Sequence, residues 1–499
     1  MPRRVILAVC CIFALLQSAA AQSIAVYQTT PDLLEALAQL HALRFSPKPD
    51  PTDASPQITV DDSQRFQEID GFGASLTDSA AWLISHKLSP AQTDAAFKSL
   101  FSRRDGIALS FLRQPIGSSD LATKFYSYDD LCDQTDKACT MPAGQAGHAD
   151  PDLAHYSLAH DKEYILPLLV KALAINPSIH VMLTPWSPPG WMKSSGSMLG
   201  SMPGSNPETK VPSSLRPEFY RAFAGYLVKT VQGYQAAGVP VFAMSVQNEP
   251  LYTPTDYSGM QMQAAEQANF IANALGPAMA AAGLKTKLMV YDHNWDRPDY
   301  PEAVLKDAKA GSLAAGTAWH HYAGDPAVMT KFHAEFPQKD EWVTESSGGT
   351  WQNGNLLAQV AAELIDVTRN WSRSYVLWAL ATDQDHGPHV GGCGTCRGLV
   401  TIDLTKPGDP VKHEPDYYAL GQASKFLLPG AVRIASDEPG GPEGTDLKDV
   451  AFSNPDGSIV LYAVNRGARS QAFRIGFHGK TVATVLPAGA VATFIWKSN

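Results

Sequence analysis

Short β-rich apolar runs alternate with stretches of helical spacing through the middle of the chain. That alternation is the order an α/β fold with a parallel sheet produces. Eight runs predict strands, near residues 68–72, 109–113, 180–184, 241–246, 287–291, 317–320, 342–344 and 375–379. Between them, Phe219, Phe223, Tyr226, Leu227 and Val231 mark one helical stripe. Residues 264–275 form a second helix candidate, and Leu356, Val360, Leu364 and Val367 a third. Eight strands with helices between them favour a closed (β/α)8 TIM barrel over an open doubly wound sheet. No Gly-rich phosphate loop follows the first strand, which also argues against a dinucleotide-binding sheet.

Beyond Val432 the pattern changes to short alternating runs broken by turn residues, as in Asn454-Pro455-Asp456-Gly457 and Asn465-Arg466-Gly467. Residues 450–452, 459–464, 473–475, 481–485 and 492–496 read as strands of a small antiparallel sandwich. Residues 24–28 and 58–60 are strand-like as well and are placed to join that sheet, so both chain ends would build one side domain. Leu33, Leu34, Leu37, Leu40 and Leu43 predict a short amphipathic helix between them. The expected layout is a signal peptide over 1–21, sandwich strands over 22–65, the catalytic barrel over 66–425 and the C-terminal sandwich over 426–499.

The signal peptide rests on Arg3 and Arg4, the apolar run from Val5 to Leu16, and the small residues Ala19-Ala20-Ala21. The run is shorter than the about 20 residues a membrane-spanning helix needs. A secreted or periplasmic protein without stable membrane insertion is expected. Removing 1–21 takes two arginines and no acid, so the net charge of −10 becomes −12. Such a surface repels nucleic acid and suits a neutral substrate. Of six cysteines, Cys10 and Cys11 leave with the signal. Cys132 with Cys139 and Cys393 with Cys396 are disulfide candidates in an oxidising compartment. The spacing of His386, His389, Cys393 and Cys396 also admits a tetrahedral zinc, which export disfavours.

The chemistry concentrates at two strand ends. Met244-Ser245-Val246-Gln247-Asn248-Glu249-Pro250 runs an apolar strand into a carboxylate, and Trp342-Val343-Thr344-Glu345-Ser346-Ser347-Gly348 does the same. Strand C-termini form the active face of such barrels. The glutamates lie 96 residues apart, about three βα units of roughly 31 residues each, which assigns them to strands four and seven. A lone glutamate there more often caps a helix or pairs with an arginine. Two at matched ends predict the carboxyl pair of a retaining glycosidase, with Glu345 as nucleophile and Glu249 as acid/base. Asn248 is placed to meet a sugar 2-hydroxyl, and Arg113 to orient a carboxylate by a bidentate pair. Trp186, Trp191, His320, His321, Tyr322 and Trp378 fall at other strand ends, where aromatic faces suit sugar rings. Asp120 follows the second strand and could fix a sugar's outer hydroxyls.

As a set, these stretches resemble glycoside hydrolase family 30, in its glucosylceramidase-like branch. The matching runs are residues 68–74, 113–120, 184–191, 247–250, 344–345 and 420–426, continuing into the terminal sandwich. The resemblance implies retention of configuration and no metal or other cofactor. It also implies that Glu249 and Glu345 are the catalytic pair. Asp120, Trp186, Asn248 and Trp378 match residues lining the glucose subsite of that branch, and Arg113, His320 and Tyr322 its catalytic surround. Two departures touch the substrate: Ala379 stands where the glucosylceramidase has an asparagine, and the loop over 386–396 differs. The expectation is a secreted β-glucosidase of glucosylceramidase type, a hydrolase of a carbohydrate or glycolipid substrate and so of sphingolipid metabolism. The alternative is an endo-β-1,6-glucanase or a xylan- or galactan-active relative. Readings of other classes are a carbohydrate-binding protein with a dead barrel and a zinc hydrolase.

Overall fold

A computed structural model describes residues 22–46, 52–131, 149–437 and 446–498. The signal segment and the Cys132–Cys139 candidate lie outside the described residues. Eight parallel strands close into a barrel. They are β1 (Gly71–Ser75), β2 (Phe111–Ile116), β3 (His180–Pro185), β4 (Val241–Ser245), β5 (Lys287–Asn294), β6 (Ala314–His320), β7 (Asp340–Ser346) and β8 (Ser372–Leu377). All eight expected strands are present, with ends moved by a few residues. At β1 both ends shift toward the C-terminus, because residues 57–68 belong to a long sandwich strand, Gln57–Glu68, that ends just before the barrel begins.

The barrel is packed, not hollow. Phe111, Met182, Ala243, Met289, Ala318, Trp342 and Val376, one from each of β2 to β8, meet inside it as one apolar layer. β1 contributes no bulk to this layer, since a Cβ on Gly73 would stand 1.7 Å from the Phe111 carbonyl oxygen. Outside, the expected stripes fold as helices over Tyr220–Ala236 and Leu356–Arg369 and bury Phe223, Tyr226, Leu227, Val231, Val360 and Leu364 against the strands. The second candidate is helical over Ala264–Phe270 and then widens to a π-helical turn over Ile271–Leu275.

The side domain draws on both ends of the chain, as expected. Ser23–Thr29 pairs antiparallel with Val491–Lys497, and Gln57–Glu68 lies between Val432–Ser436 and Gln471–Phe477. The last pairing is parallel, in an otherwise antiparallel sheet. The helix expected across the leucines is absent. Leu33 and Leu37 have φ of 57° and 51°, and Ala38–Gln39 and Leu43–Arg44 instead form edge pairs with Ser23–Thr29. Pairing with the Ser23–Thr29 edge engages the backbone that a marginal short helix would have used, and Leu34 is left in solvent, 87% exposed. The domains meet through the helix Pro415–Ser424, the Tyr462 hydroxyl on the Ala419 carbonyl at 3.1 Å, and an Arg369–Asp449 ion pair at 3.0 Å. After β8 a small sheet of Ala379–Asp383, Gly398–Ile402 and Val411–His413 carries the 386–396 loop over the barrel mouth. Among the described residues no helix is long and apolar enough to cross a membrane.

Candidate active site

A polar layer lies directly above the apolar one, because side chains repeat every second residue along a strand. Two residues on from Phe111, Met182, Ala243, Ala318 and Trp342 stand Arg113, Thr184, Ser245, His320 and Thr344. All but Thr184, which accepts from Ser245 Oγ at 3.1 Å, converge on Asp292 of β5, which is fully buried. Asp292 accepts from Thr344 Oγ1 at 2.6 Å, Ser245 Oγ at 2.7 Å and Arg113 Nη2 at 3.0 Å, and it meets His320 Nε2 at 3.0 Å. Tyr291 and Asp292 hold φ of 72° and 62°, a left-handed pair that costs on the order of 1 kcal/mol or more per residue. The bulge they make turns the carboxylate into the bowl.

The two glutamates hang on this layer. Glu249 lies four residues beyond β4 with φ of 43°. Its amide donates to the Asp292 carbonyl at 3.0 Å and its carbonyl accepts from Tyr252 N at 2.9 Å. Gln247 ties the same turn to β3 through the Trp186 carbonyl at 2.7 Å. Glu249 Oε1 sits 3.0 Å from His320 Nδ1. Glu345, near the end of β7, receives Tyr322 Oη at 2.8 Å on one oxygen and Arg113 Nη1 on the other. Arg113 is therefore not forked onto a single carboxylate, as the sequence suggested. Its second nitrogen is shared between Asn248 Oδ1 at 2.7 Å and Asp292. The Asn248 amide nitrogen takes no acceptor among the described residues and borders the cavity. A carboxylate oxygen from each glutamate and a ring nitrogen of His320 all lie within 4.8 Å of one another. That fits the about 5–5.5 Å spacing of a retaining pair and is too close for the inverting arrangement, about 6.5–9.5 Å.

Charge in the layer is set by proximity. Burial opposes a charged His320, yet the carboxylates of Glu345, Asp292 and Glu249 overcome it and raise its pKa to about 9. Asp292 is driven far below the carboxylate range: burial works against that, but Arg113 and His320 outweigh it. Burial likewise pushes Glu249 up, and the His320 hydrogen bond with the charges of His293, His320 and Arg113 pulls it below its ordinary value. With His320 protonated between two glutamates, the trio is arranged to hold and pass a proton.

Above the pair opens a cavity of about 480 Å³, lined among others by Asp120, Trp186, Tyr252, Tyr257, Trp351 and Trp378. Trp186 and Trp378 stack at 4.9 Å, and Arg113 lies 4.8 Å from the Trp186 ring. Both indoles are 97% hidden, while Tyr252 and Trp351 at the rim are 46% and 50% exposed. Burial raises Asp120 to about 7, against a hydrogen bond from the Cys393 amide at 3.2 Å. The 386–396 loop thus forms a wall of the innermost subsite. Gly392 has φ of +63°, and a Cβ there would stand 2.5 Å from the Asp120 Cβ. Cys393 and Cys396 are joined as a disulfide, and His386 Nδ1 is bound to the Cys396 carbonyl at 3.1 Å, so these four residues do not assemble a zinc site.

Of the candidates that the strand ends suggested, Arg113, Asp120, Trp186, Asn248, Glu249, His320, Tyr322, Glu345 and Trp378 line this cavity or the layer beneath it. Trp191 does not, since its indole is buried on the Asp129 carbonyl at 3.0 Å. His321 also turns away, accepting from the Ser347 amide at 3.1 Å and pairing with Glu363 at 2.9 Å. Asp292, His293, Asn294 and Trp351 escaped the sequence reading. Val290-Tyr291-Asp292-His293-Asn294 carries the signal for the first three, a polar run at a barrel strand's C-terminal end, had β5 been extended past Tyr291.

The sequence matches the model of the glycosyl hydrolase family 30 TIM-barrel domain over residues 69–427 and of that family's beta sandwich domain over 430–494. It is 33% identical over 419 residues to an endo-1,6-β-D-glucanase of Trichoderma harzianum, covering 82% of this chain and 80% of that one. To the lysosomal acid glucosylceramidase of Mus musculus it is 28% identical over 471 residues, covering 88% and 83%. The fold superposes on a solved endo-β1,6-glucanase with a TM-score of 0.82 at 31% identity, covering 96% of this chain and 100% of the other.

Proposed function

The chain belongs to glycosyl hydrolase family 30, and on that premise we propose that it is a retaining endo-β-1,6-glucanase, exported by the signal read in residues 1–21. The sequence alone put a glucosylceramidase-like β-glucosidase first and the endo-glucanase second. The relatives reverse that order: the glucanase similarities are stronger in identity than the glucosylceramidase one. The single observation that carries the glycosidase chemistry is the carboxyl pair within 4.8 Å over one cavity.

In the first half-reaction Glu345 attacks the anomeric carbon as Glu249 gives its proton to the departing O6 of the next glucose. In the second, Glu249 takes a proton from water as that water attacks C1 and frees Glu345. Arg113 and Tyr322 hold Glu345 as the carboxylate that must attack. Esterification removes a negative charge beside Glu249, which lowers its proton affinity at the step where it must act as base. The unpaired amide nitrogen of Asn248 suits a sugar 2-hydroxyl, a contact that tightens in an oxocarbenium-like transition state. His320 holds Glu249 below its ordinary value, so the acid form needed for the first step is favoured as pH falls.

Tyr252 and Trp351 offer exposed ring faces outside the innermost subsite, as a chain longer than one glucose requires. A β-1,6-linked glucopentaose separates the two substrate readings. Early appearance of di- and trisaccharides supports the endo-glucanase, whereas glucose as the sole early product would return the β-glucosidase.

A further inference from the structure

Away from the barrel mouth, the loop after β2 buries a carboxylate that accepts no hydrogen bond from the described residues. Asp129 is 99% hidden, and among the described residues neither of its carboxylate oxygens has a hydrogen-bond donor. Its strongest charged neighbours are Asp150 and Asp130, which repel it, and His155. Burial first, then Asp150, raises its pKa to about 7. Asp150 is itself 92% hidden and held in place, its Oδ2 accepting the His155 amide at 2.7 Å and facing His155 Nδ1 at 3.0 Å. One donor atom each from Asp129, Asp150 and His155 fall within 4.8 Å of one another.

A buried carboxylate without a donor is strongly unfavourable, and a second one beside it makes matters worse. Two arrangements relieve it, a shared proton or a bound cation. Ligands on opposite sides of one Ca²⁺ lie about 4.6–5.2 Å apart, so the observed spread fits a single coordination sphere. The fixed set is hard carboxylate oxygen at the edge of solvent, where water completes the shell. His155 is already engaged with Asp150, which orients that carboxylate and leaves oxygen to do the coordinating.

We propose that Asp129 and Asp150 bind a divalent cation of the calcium class, joining the chain at residue 129 to the chain at residue 150. The site is also linked to the cleft. The Asp129 carbonyl accepts the Trp191 indole N–H at 3.0 Å, and Trp191 ends the Trp186–Trp191 turn that carries one wall of the sugar cavity. Neither the family's hydrolytic chemistry nor its carboxyl pair calls for this ion, and its role here is to brace a loop.

The test uses the full secreted chain, stripped with chelator and titrated with CaCl₂ by calorimetry, with the unfolding midpoint followed in parallel. One calcium per chain is expected, with a midpoint rise of about 3 °C or more at a large excess of ion over Kd. Tb³⁺ in the same site should glow on indole excitation and lose that signal in Trp191→Phe. Asp129→Asn and Asp150→Asn should each abolish binding and the calcium-dependent rise, and Asp152→Asn, at an exposed position, should keep both. Should either site variant fail to fold, the stripped wild-type chain still decides. An unchanged midpoint and no heat with calcium, or binding of Zn²⁺ alone, would overturn the proposal. So would an Asp129→Asn chain that binds calcium as the wild type does. Absence of binding together with higher stability of Asp129→Asn would identify a proton-sharing carboxyl pair instead.

Discussion

Replacing Asp292 by asparagine removes one charge from the centre of the polar layer while keeping its shape. In the wild type this carboxylate accepts from Thr344, Ser245 and Arg113 and faces His320, all at 3.0 Å or less. The amide keeps one acceptor oxygen but turns an NH₂ toward groups that also donate, and it leaves Arg113 with Glu345 as its sole charged partner. Breaking a buried pair in this way costs about 3–5 kcal/mol. The pH dependence adds a second signature. His320 titrates at about 9 in the folded chain against about 6.5 unfolded. Its stabilisation is therefore complete below pH 6.5 and disappears as pH rises through 9. The Asp292 contribution has the opposite sense, present above the unfolded carboxylate value and lost only at strongly acid pH, so it is constant across this window. Urea unfolding of both proteins from pH 5.5 to 9.5 should give a wild-type advantage of about 3–5 kcal/mol at the acid end that shrinks toward the alkaline end. The turnover rate should fall about a hundredfold, since Glu345 and Glu249 lose the group that aligns their partners. An Asp292→Asn chain within about 1 kcal/mol of wild type would refute the view that this carboxylate organises the site. So would a difference that does not change with pH.

His320→Gln should move the alkaline limb of kcat/KM to higher pH, because the imidazolium that lowers Glu249 is gone; an unmoved limb would mean that another group sets it. Trp351→Ala should lower kcat/KM about 2–10-fold on β-1,6-linked pentasaccharide yet leave an aryl β-glucoside unaffected, which initial rates on the two substrates would show. Gly392→Ala forces a Cβ onto Asp120 at a positive φ. It should raise KM for every glucoside with little change in the urea midpoint, and a normal KM would detach the loop from the sugar subsite.

The barrel was legible in the sequence because short apolar runs recur between helical stretches, several of them passing into polar residues, as at Val241–Ser245 and Lys287–Asn294. Phe111, Met182, Ala243, Ala318 and Trp342 point inward, and the residues two places further along become the site. Glu249 and Glu345 stood out for that reason. Asp292 did not, since the expected strand ends at Tyr291, just before its polar run, and the left-handed pair that turns Asp292 inward breaks the strand alternation there. The leucines over 33–43 misled for a related reason. Their spacing fits a helix, but the competing edge of Ser23–Thr29 comes from pairing, which periodicity does not record. The role of Gly392 over Asp120 was equally hidden, because it joins residues 272 positions apart.

Two carboxyl groups acting in turn on the same anomeric carbon must leave a stereochemical record. Proton NMR of a β-1,6-glucan digest, followed from the first minutes before mutarotation, reads it directly. The β-anomer of the new reducing end should accumulate first and then relax toward the equilibrium mixture. Initial release of the α-anomer would show a single displacement by water and would remove Glu345 from its role as nucleophile.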